Sequence, residues 1–204
     1  MTEAARRSPA RSAWGLVAIG ASTGGPGTVL QILSELDSSF PCPIVVVQHI
    51  QSGFVEGLVS WIGSSIALPV EVAREGMRLK AGTVYVADTA GNLELYAHRF
   101  RYTPAAPNQL YTPCIDHFFG SVVSTGEIGF GVLLTGMGSD GAVGLNALNR
   151  SGWTTYVQDS ASCVVSGMPD SAMKLCSAHQ QANPKVIASI MKRETLLSQR
   201  RGCV

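Results

Sequence analysis

Three runs of apolar residues with no polar alternation, LVAIGA, CPIVVVQHI and FGVLLTG, restrict what this chain can fold into. A strand that is apolar on both sides must be covered on both faces, which is the condition of an interior strand in a parallel sheet. Each run is followed by a turn and then by a stretch with helical spacing: TVLQILSEL, FVEGLVSWIGSSI and AVGLNALNRSG, the last ended by Gly152. Strand, turn and helix in repetition predict an α/β fold, doubly wound, with a mostly parallel sheet and helices on both faces.

The middle of the chain breaks the rhythm. LPVEVA, GTVYVA and LELYAHRFRY alternate more and are punctuated by Gly, Asn and Pro, so they predict one or two strands and a small inserted β-hairpin. YTPAAPNQLYTP holds three prolines and is excluded from regular helix. IDHFFGSVVSTG resumes a helical pattern with Asp116 near its start. WTTYVQD predicts another strand, PDSAMKLC a helix opened by Pro169, and NPKVIASIMKR a final helix. No repeat or linker divides the 204 residues. We expect a tail over 1–14, one catalytic domain over 15–196 and a second tail over 197–204.

A formal net charge of +1 and the absence of a block of one sign give no basis for nucleic-acid binding. No apolar run is long enough for membrane insertion, and MTEAARRSPARSAW lacks the apolar segment of a secretory signal. Five Cys without a CxxC spacing argue against a disulfide framework or a zinc site and for reduced thiols in a cytoplasmic protein. Cys163, in ASCVVSG, reads as a packed thiol with no adjacent base, not as a nucleophile.

Ligands of open parallel sheets bind beyond the carboxyl ends of the strands. Ser22 follows LVAIGA, His49 ends CPIVVVQHI, and Asp140 lies in the turn after FGVLLTG. A hydroxyl, an imidazole and a carboxylate meeting in one crevice are the parts of an acyl-transfer site. The turn GASTGGP around Ser22 is small enough to expose the hydroxyl, and amides at the start of the next helix could hold an oxyanion. The string is neither G-x-S-x-G nor G-x-G-x-x-G. A phosphate loop stays conceivable, because glycine turns before helices bind anions. Blander roles fit each residue as well. Ser22 could cap a helix, His49 could be a satisfied core imidazole, and Asp140 could cap the helix beginning near Gly141. His98, His117 and His179 have no companions that argue for function and read as surface or packing residues.

The strings IGASTGG, VVVQHI, LLTGMGSDGA and ASCVVSGMP, with the weaker GMRLKAGTVYVA and CIDHFFGSV, resemble in order and spacing the catalytic domain of the CheB-type chemotaxis protein-glutamate methylesterases. The similarity runs from about Val17 to about Met191. The resemblance implies a serine hydrolase that removes methyl esters from glutamates on chemoreceptor cytoplasmic helices, releasing methanol. In some members it also deamidates receptor glutamines. It implies Ser22, His49 and Asp140 as the triad, Thr23 and Met137 as site-lining residues, and no metal or cofactor; the backbone N–H groups of Thr23 and Met137 are the candidates for the oxyanion hole.

This sequence departs from the family at Gln51-Ser52-Gly53 and at Asp88, where proline is common. Only a short tail precedes Trp14, where family members usually carry a receiver domain; a natural receiver-less member and a fragment both fit. The expectation is therefore a constitutively open cleft, with any control exerted by a separate regulatory chain or by the supply of methylated receptor. A non-catalytic receptor-binding module of the same fold, and more distantly a nucleotide-binding protein, are the competing readings.

Overall fold

The computed structural model describes residues 15–176 and 179–201; the expected tail over 1–14 lies outside the described residues. Seven parallel strands form the sheet: β1 (Leu16–Ala21), β2 (Ile44–Gln48), β3 (Val70–Ala73), β4 (Val84–Ala87), β7 (Gly129–Leu133), β8 (Thr154–Gln158) and β9 (Gln180–Ala182). Their order is β3-β4-β2-β1-β7-β8-β9. The order reverses at β1, which is flanked by β2 and β7, and a sheet of this type leaves a crevice at such a point.

The apolar runs are explained by burial on both sides. Along β1, Val17, Ile19 and Ala21 face one core with α1 (Gly25–Leu33), α2 (Val55–Gly63) and α6 (Pro184–Arg201). Leu16 and Ala18 face a second core with α3 (Ile115–Val123), α4 (Ala142–Arg150) and α5 (Gly167–Leu175). The inserted hairpin, β5 (Asn92–Tyr96) and β6 (Arg99–Thr103), is antiparallel, and its Leu93, Leu95 and Phe100 join the second core.

The fold agrees with the expected class; the expected tail over 197–204 is helical through Arg201 as the end of α6, its remainder lies outside the described residues, and three further local details differ. His98, which the alternation of LELYAHRFRY would place on an exposed strand, forms the hairpin turn with Ala97; both have positive φ, and His98 pairs with Glu127 at 2.8 Å. α5 begins at Gly167 and not at Pro169. Its first amides have partners outside the helix, such as Met168 N–H donating to the Gly136 carbonyl at 3.0 Å, so proline two residues later removes no needed donor. The three-residue β9 is too short to show a pattern in sequence. No helix among the described residues is long and apolar enough to cross a membrane.

Candidate active site

Parallel pairing sets Ser22 and His49 side by side. β1 and β2 are in register through Ala21 and Gln48, so the next residue of each strand is Ser22 and His49. The His49 amide donates to the Ala21 carbonyl at 2.9 Å, and the Ser22 amide to the Thr135 carbonyl at 3.0 Å. The buried Gln48 side chain donates to the carbonyls of both Ser22 and His49 at 2.9 Å, tying the two strand ends together. Ser22 has 8% of its surface exposed.

The chain then turns sharply. Gly24 has φ 81° and is the cap residue of α1, which has no side-chain cap. Ser22 is thus not the helix cap. Gly24 is doubly constrained, because a Cβ there would come within 2.5 Å of Val164. Gly136 is constrained by crowding alone: a Cβ would meet Met168 Sδ at 2.1 Å and Ser22 Cβ at 2.7 Å. Its absence lets the backbone before Met137 lie against Ser22. The Met137 side chain is 67% exposed. The amides of Thr23 and Met137 make no hydrogen bond among the described residues.

Asp140 is placed by a helix end. Its Oδ2 accepts from His49 Nε2 at 2.8 Å and from the Ile115 amide at 2.8 Å. Its Oδ1 accepts from the Asp116 amide at 3.0 Å and the Cys114 thiol at 3.2 Å. These amides are the first of α3, where unpaired donors and the helix dipole favour a carboxylate. Burial alone would raise the Asp140 pKa; the hydrogen bonds from His49, Asp116, Ile115 and Cys114 overcome it and hold the carboxyl below its usual value. Asp140 therefore does not cap α4, whose own cap is Gly141 with no side-chain bond.

The acceptor for α4 is instead Asp116, from the first turn of α3: its Oδ1 takes the Gly144 amide at 2.6 Å. The two helices exchange carboxylates. Burial, and to a lesser extent the charge of Asp140, push Asp116 up to about 6.

The His49 side chain is 8% exposed, and with Nε2 on Asp140 its Nδ1 has no hydrogen-bond partner. The buried His179 likewise leaves one ring nitrogen, Nε2, without a partner, so what sets His49 apart is its carboxylate partner. Tyr111 stacks on the imidazole, with ring centroids 4.4 Å apart and planes 9° from parallel. A cleft of about 270 Å3 opens beside it, lined among others by Gln109, Leu110, Tyr111, Cys114, Gly138 and Asp140.

The ASCVVSGMP string underpins the turn next to Ser22. The Thr135 hydroxyl accepts from the amides of Val164 and Val165 and lies 3.0 Å from the Thr23 carbonyl. The Gly136 amide donates to the Val165 carbonyl at 2.8 Å. Cys163 is pushed up to about 11 by burial, with Asp159 and Asp170 adding to it, and Cys114 up to about 12 by burial, so both are thiols at neutral pH. His179 is buried with Nδ1 2.8 Å from the Thr155 hydroxyl, and His117 pairs with Glu94 at 2.7 Å. Neither reaches the crevice by these contacts. Sequence reasoning missed Tyr111, Gln48, Thr135 and the capping role of Asp116. A proline-bounded tyrosine and buried amides carry no local signal of their partners.

The model of the CheB methylesterase family matches residues 17–191. A protein-glutamate methylesterase/protein-glutamine glutaminase of Cupriavidus metallidurans is 44% identical over 86% of this chain and 53% of its own length. A counterpart of Pseudomonas putida is 43% identical over 80% and 49%. The chain spans about half the length of the curated relatives it matches. The crystal structure of the Thermotoga maritima CheB methylesterase catalytic domain superposes with a TM-score of 0.82 at 32% identity, over 90% of this chain and 98% of that one. With a matched segment that takes in all three strand ends of the crevice, the chain belongs to the CheB methylesterase family.

Proposed function

We propose that this chain is a serine esterase that hydrolyses glutamyl methyl esters on chemoreceptor cytoplasmic helices and releases methanol. The observation that carries the reading is the state of His49: Nε2 on a carboxylate, and Nδ1 buried without a partner, on the residue that adjoins Ser22 across the paired strand ends. Ser22 Oγ attacks the ester carbonyl while His49 Nδ1 takes its proton. Asp140 orients the imidazole and stabilises the charge it gains. The amides of Thr23 and Met137 receive the carbonyl oxygen as it becomes an oxyanion. Collapse of the tetrahedral intermediate expels methanol, protonated from Nδ1. Water then attacks the acyl-enzyme carbonyl as His49 takes its proton, and collapse of the second tetrahedral intermediate returns that proton to Ser22 Oγ and releases the glutamate. No metal or cofactor takes part in this sequence of steps.

The names of the relatives favour a second substrate for the same machinery, a protein glutamine, in which ammonia replaces methanol as the leaving group. We assign the partner as methylated receptor helices, met in the cytoplasm.

The test is methanol release from methyl-labelled receptor membranes, with Ser22→Ala beside the wild type. The variant should fold and lose about 10⁶-fold in rate. A folded Ser22→Ala protein with most of its activity would refute the assignment, and ammonia without methanol would move the reading to deamidation.

A further inference from the structure

Beyond the three residues of the proposed mechanism, His49 needs a constraint that they do not supply. The Cβ–Cγ bond and one hydrogen bond, Nε2 to Asp140 at 2.8 Å, fix two points of the imidazole but leave the ring able to pivot about the line through them. Pivoting would swing Nδ1 away from the serine, and misplacement of a reacting group by about 1 Å can cost on the order of 10²-fold in rate.

We propose that Tyr111 is a positioning residue that holds the His49 imidazole in its working plane, and that the paired side-chain amides of Asn92 and Gln109 hold Tyr111 in place. The proposal rests on the reading of Ser22, His49 and Asp140 given above. The Tyr111 ring covers one face of the imidazole at 4.4 Å and 9°, so any pivot of His49 must collide with it or break the stack. The far end of the ring is also seated. A Cβ placed on Gly138 would lie 3.4 Å from the Tyr111 hydroxyl, so this end rests over the turn that follows Met137.

Tyr111 comes from a segment without regular structure, so its position needs its own support. Asn92, 2% exposed at the start of β5, and Gln109 exchange two amide hydrogen bonds, each 2.8 Å. The same Gln109 Nε2 donates to the Tyr111 carbonyl and reaches the Thr112 hydroxyl at 3.2 Å. Asn92 Oδ1 also accepts from the Cys114 amide at 3.0 Å. Both sides of Tyr111 are thereby pinned to the first residue of the hairpin. This gives the inserted β5–β6 unit a task at the site although it contributes no residue of the proposed triad. Asn92 is buried, so breaking the pair would leave its polar atoms without these partners.

The experiment uses the whole chain with Tyr111→Ala, Tyr111→Phe and Gln109→Ala, and two readouts. One is hydrolysis of methylated receptor membranes, resolved into kcat and KM. The other is the chemical shift of the His49 ring protons, which the stacked phenol ring displaces by its ring current. Tyr111→Ala should lower kcat about 10- to 100-fold, as misplacement of a reacting group does. KM should stay within about twofold, because an interaction that acts on the reacting base is lost in the chemical step. The His49 ring protons should move downfield. Tyr111→Phe keeps the stack and should restore both kcat and the shifts. Gln109→Ala should move both readouts in the direction of Tyr111→Ala.

A rise in KM at unchanged kcat would make Tyr111 a substrate contact and overturn the proposal. So would His49 shifts that do not respond to Tyr111→Ala. Gln109→Ala with wild-type kcat and shifts would overturn the role given to the paired amides. If the wild type releases no methanol, the esterase reading fails, and the shifts of His49 still decide whether Tyr111 holds it.

Discussion

Ser22 and His49 are held by a sheet, whereas Asp140 is held by the end of a helix. At the sheet, the positions follow from backbone bonds: His49 to Ala21, Ser22 to Thr135, with Gln48 bridging the two strand ends. None of these needs the serine hydroxyl or the imidazole. At the helix end, the Asp140 carboxylate is itself the acceptor for α3, so its position and the stability of α3 depend on the same atoms. The sheet supplies a framework indifferent to the side chains it displays, and the helix end supplies a socket that exists only with its occupant. Loss of function and loss of stability should therefore separate at the first two residues and coincide at the third.

The largest effect tests this directly. Ser22→Ala and His49→Ala should each cost about 10⁶-fold in rate, and the double variant little more, because the residues act as one unit. Asp140→Asn should cost about 10⁴-fold. It should also destabilise by roughly 0.5–2 kcal/mol, the range for loss of a helix cap, since its amide would turn a donor toward the first donors of α3. Steady-state rates and denaturant unfolding of the four variants suffice. Multiplying losses for Ser22 and His49, or an Asp140→Asn protein as stable as Ser22→Ala, would break the comparison.

A middle-sized effect probes the socket from behind. α3 and α4 cross so closely that a Cβ on Gly144 would lie 2.6 Å from Phe119 Cβ and 3.1 Å from Asp116 Cα. Gly144→Ala should cost about 1–3 kcal/mol as an overpacked contact and reduce the rate through the displaced helix end. Gly57→Ala in α2 is the control: a Cβ there has nothing within 4 Å, and a gain of up to about 1 kcal/mol follows from helix propensity. Equal responses in unfolding and activity would show that the crossing carries no special constraint.

The smallest effect separates the two exchanged carboxylates by pH. Asp116 has its folded pKa raised from 3.8 to about 6. The folded state binds this proton more tightly than the unfolded state, so the group lowers stability as pH rises from 3.8 through about 6. Asp140 is depressed; its contribution is present above the ordinary carboxylate range and is lost as pH falls through its folded value. Asp116→Asn, which keeps a carbonyl oxygen for the Gly144 amide, should gain on the wild type as pH rises from 4 to 7 and converge with it at the acid end. Unfolding free energies measured across that range would sink the assignment if the gap between variant and wild type stayed constant.

The parallel sheet was legible because burial on both faces forces runs such as IVVVQ to be apolar without alternation. Ser22, His49 and Asp140 could be nominated because strand ends in such a sheet point to one crevice. The edges of elements were less legible. The start of α5 depends on the Gly136 carbonyl, which lies far away in sequence. The hairpin turn places Ala97 and His98 at positive φ without a glycine to announce it.

By itself the sequence determined the α/β class, the strand ends and the residue types that meet there, since each follows from periodicity and local turn chemistry. Only the tertiary structure decided which carboxylate serves which helix. Local rules put Asp140 before α4 and Asp116 in the first turn of α3, and the crossing at Gly144 exchanges them. It also decided that Tyr111 covers His49 and that Nδ1 is the nitrogen left free. The physical reason is common to these cases. A helix end, an aromatic face and a ring nitrogen accept any partner of suitable charge or shape, so the choice belongs to whichever group the packing of distant segments brings within bonding distance.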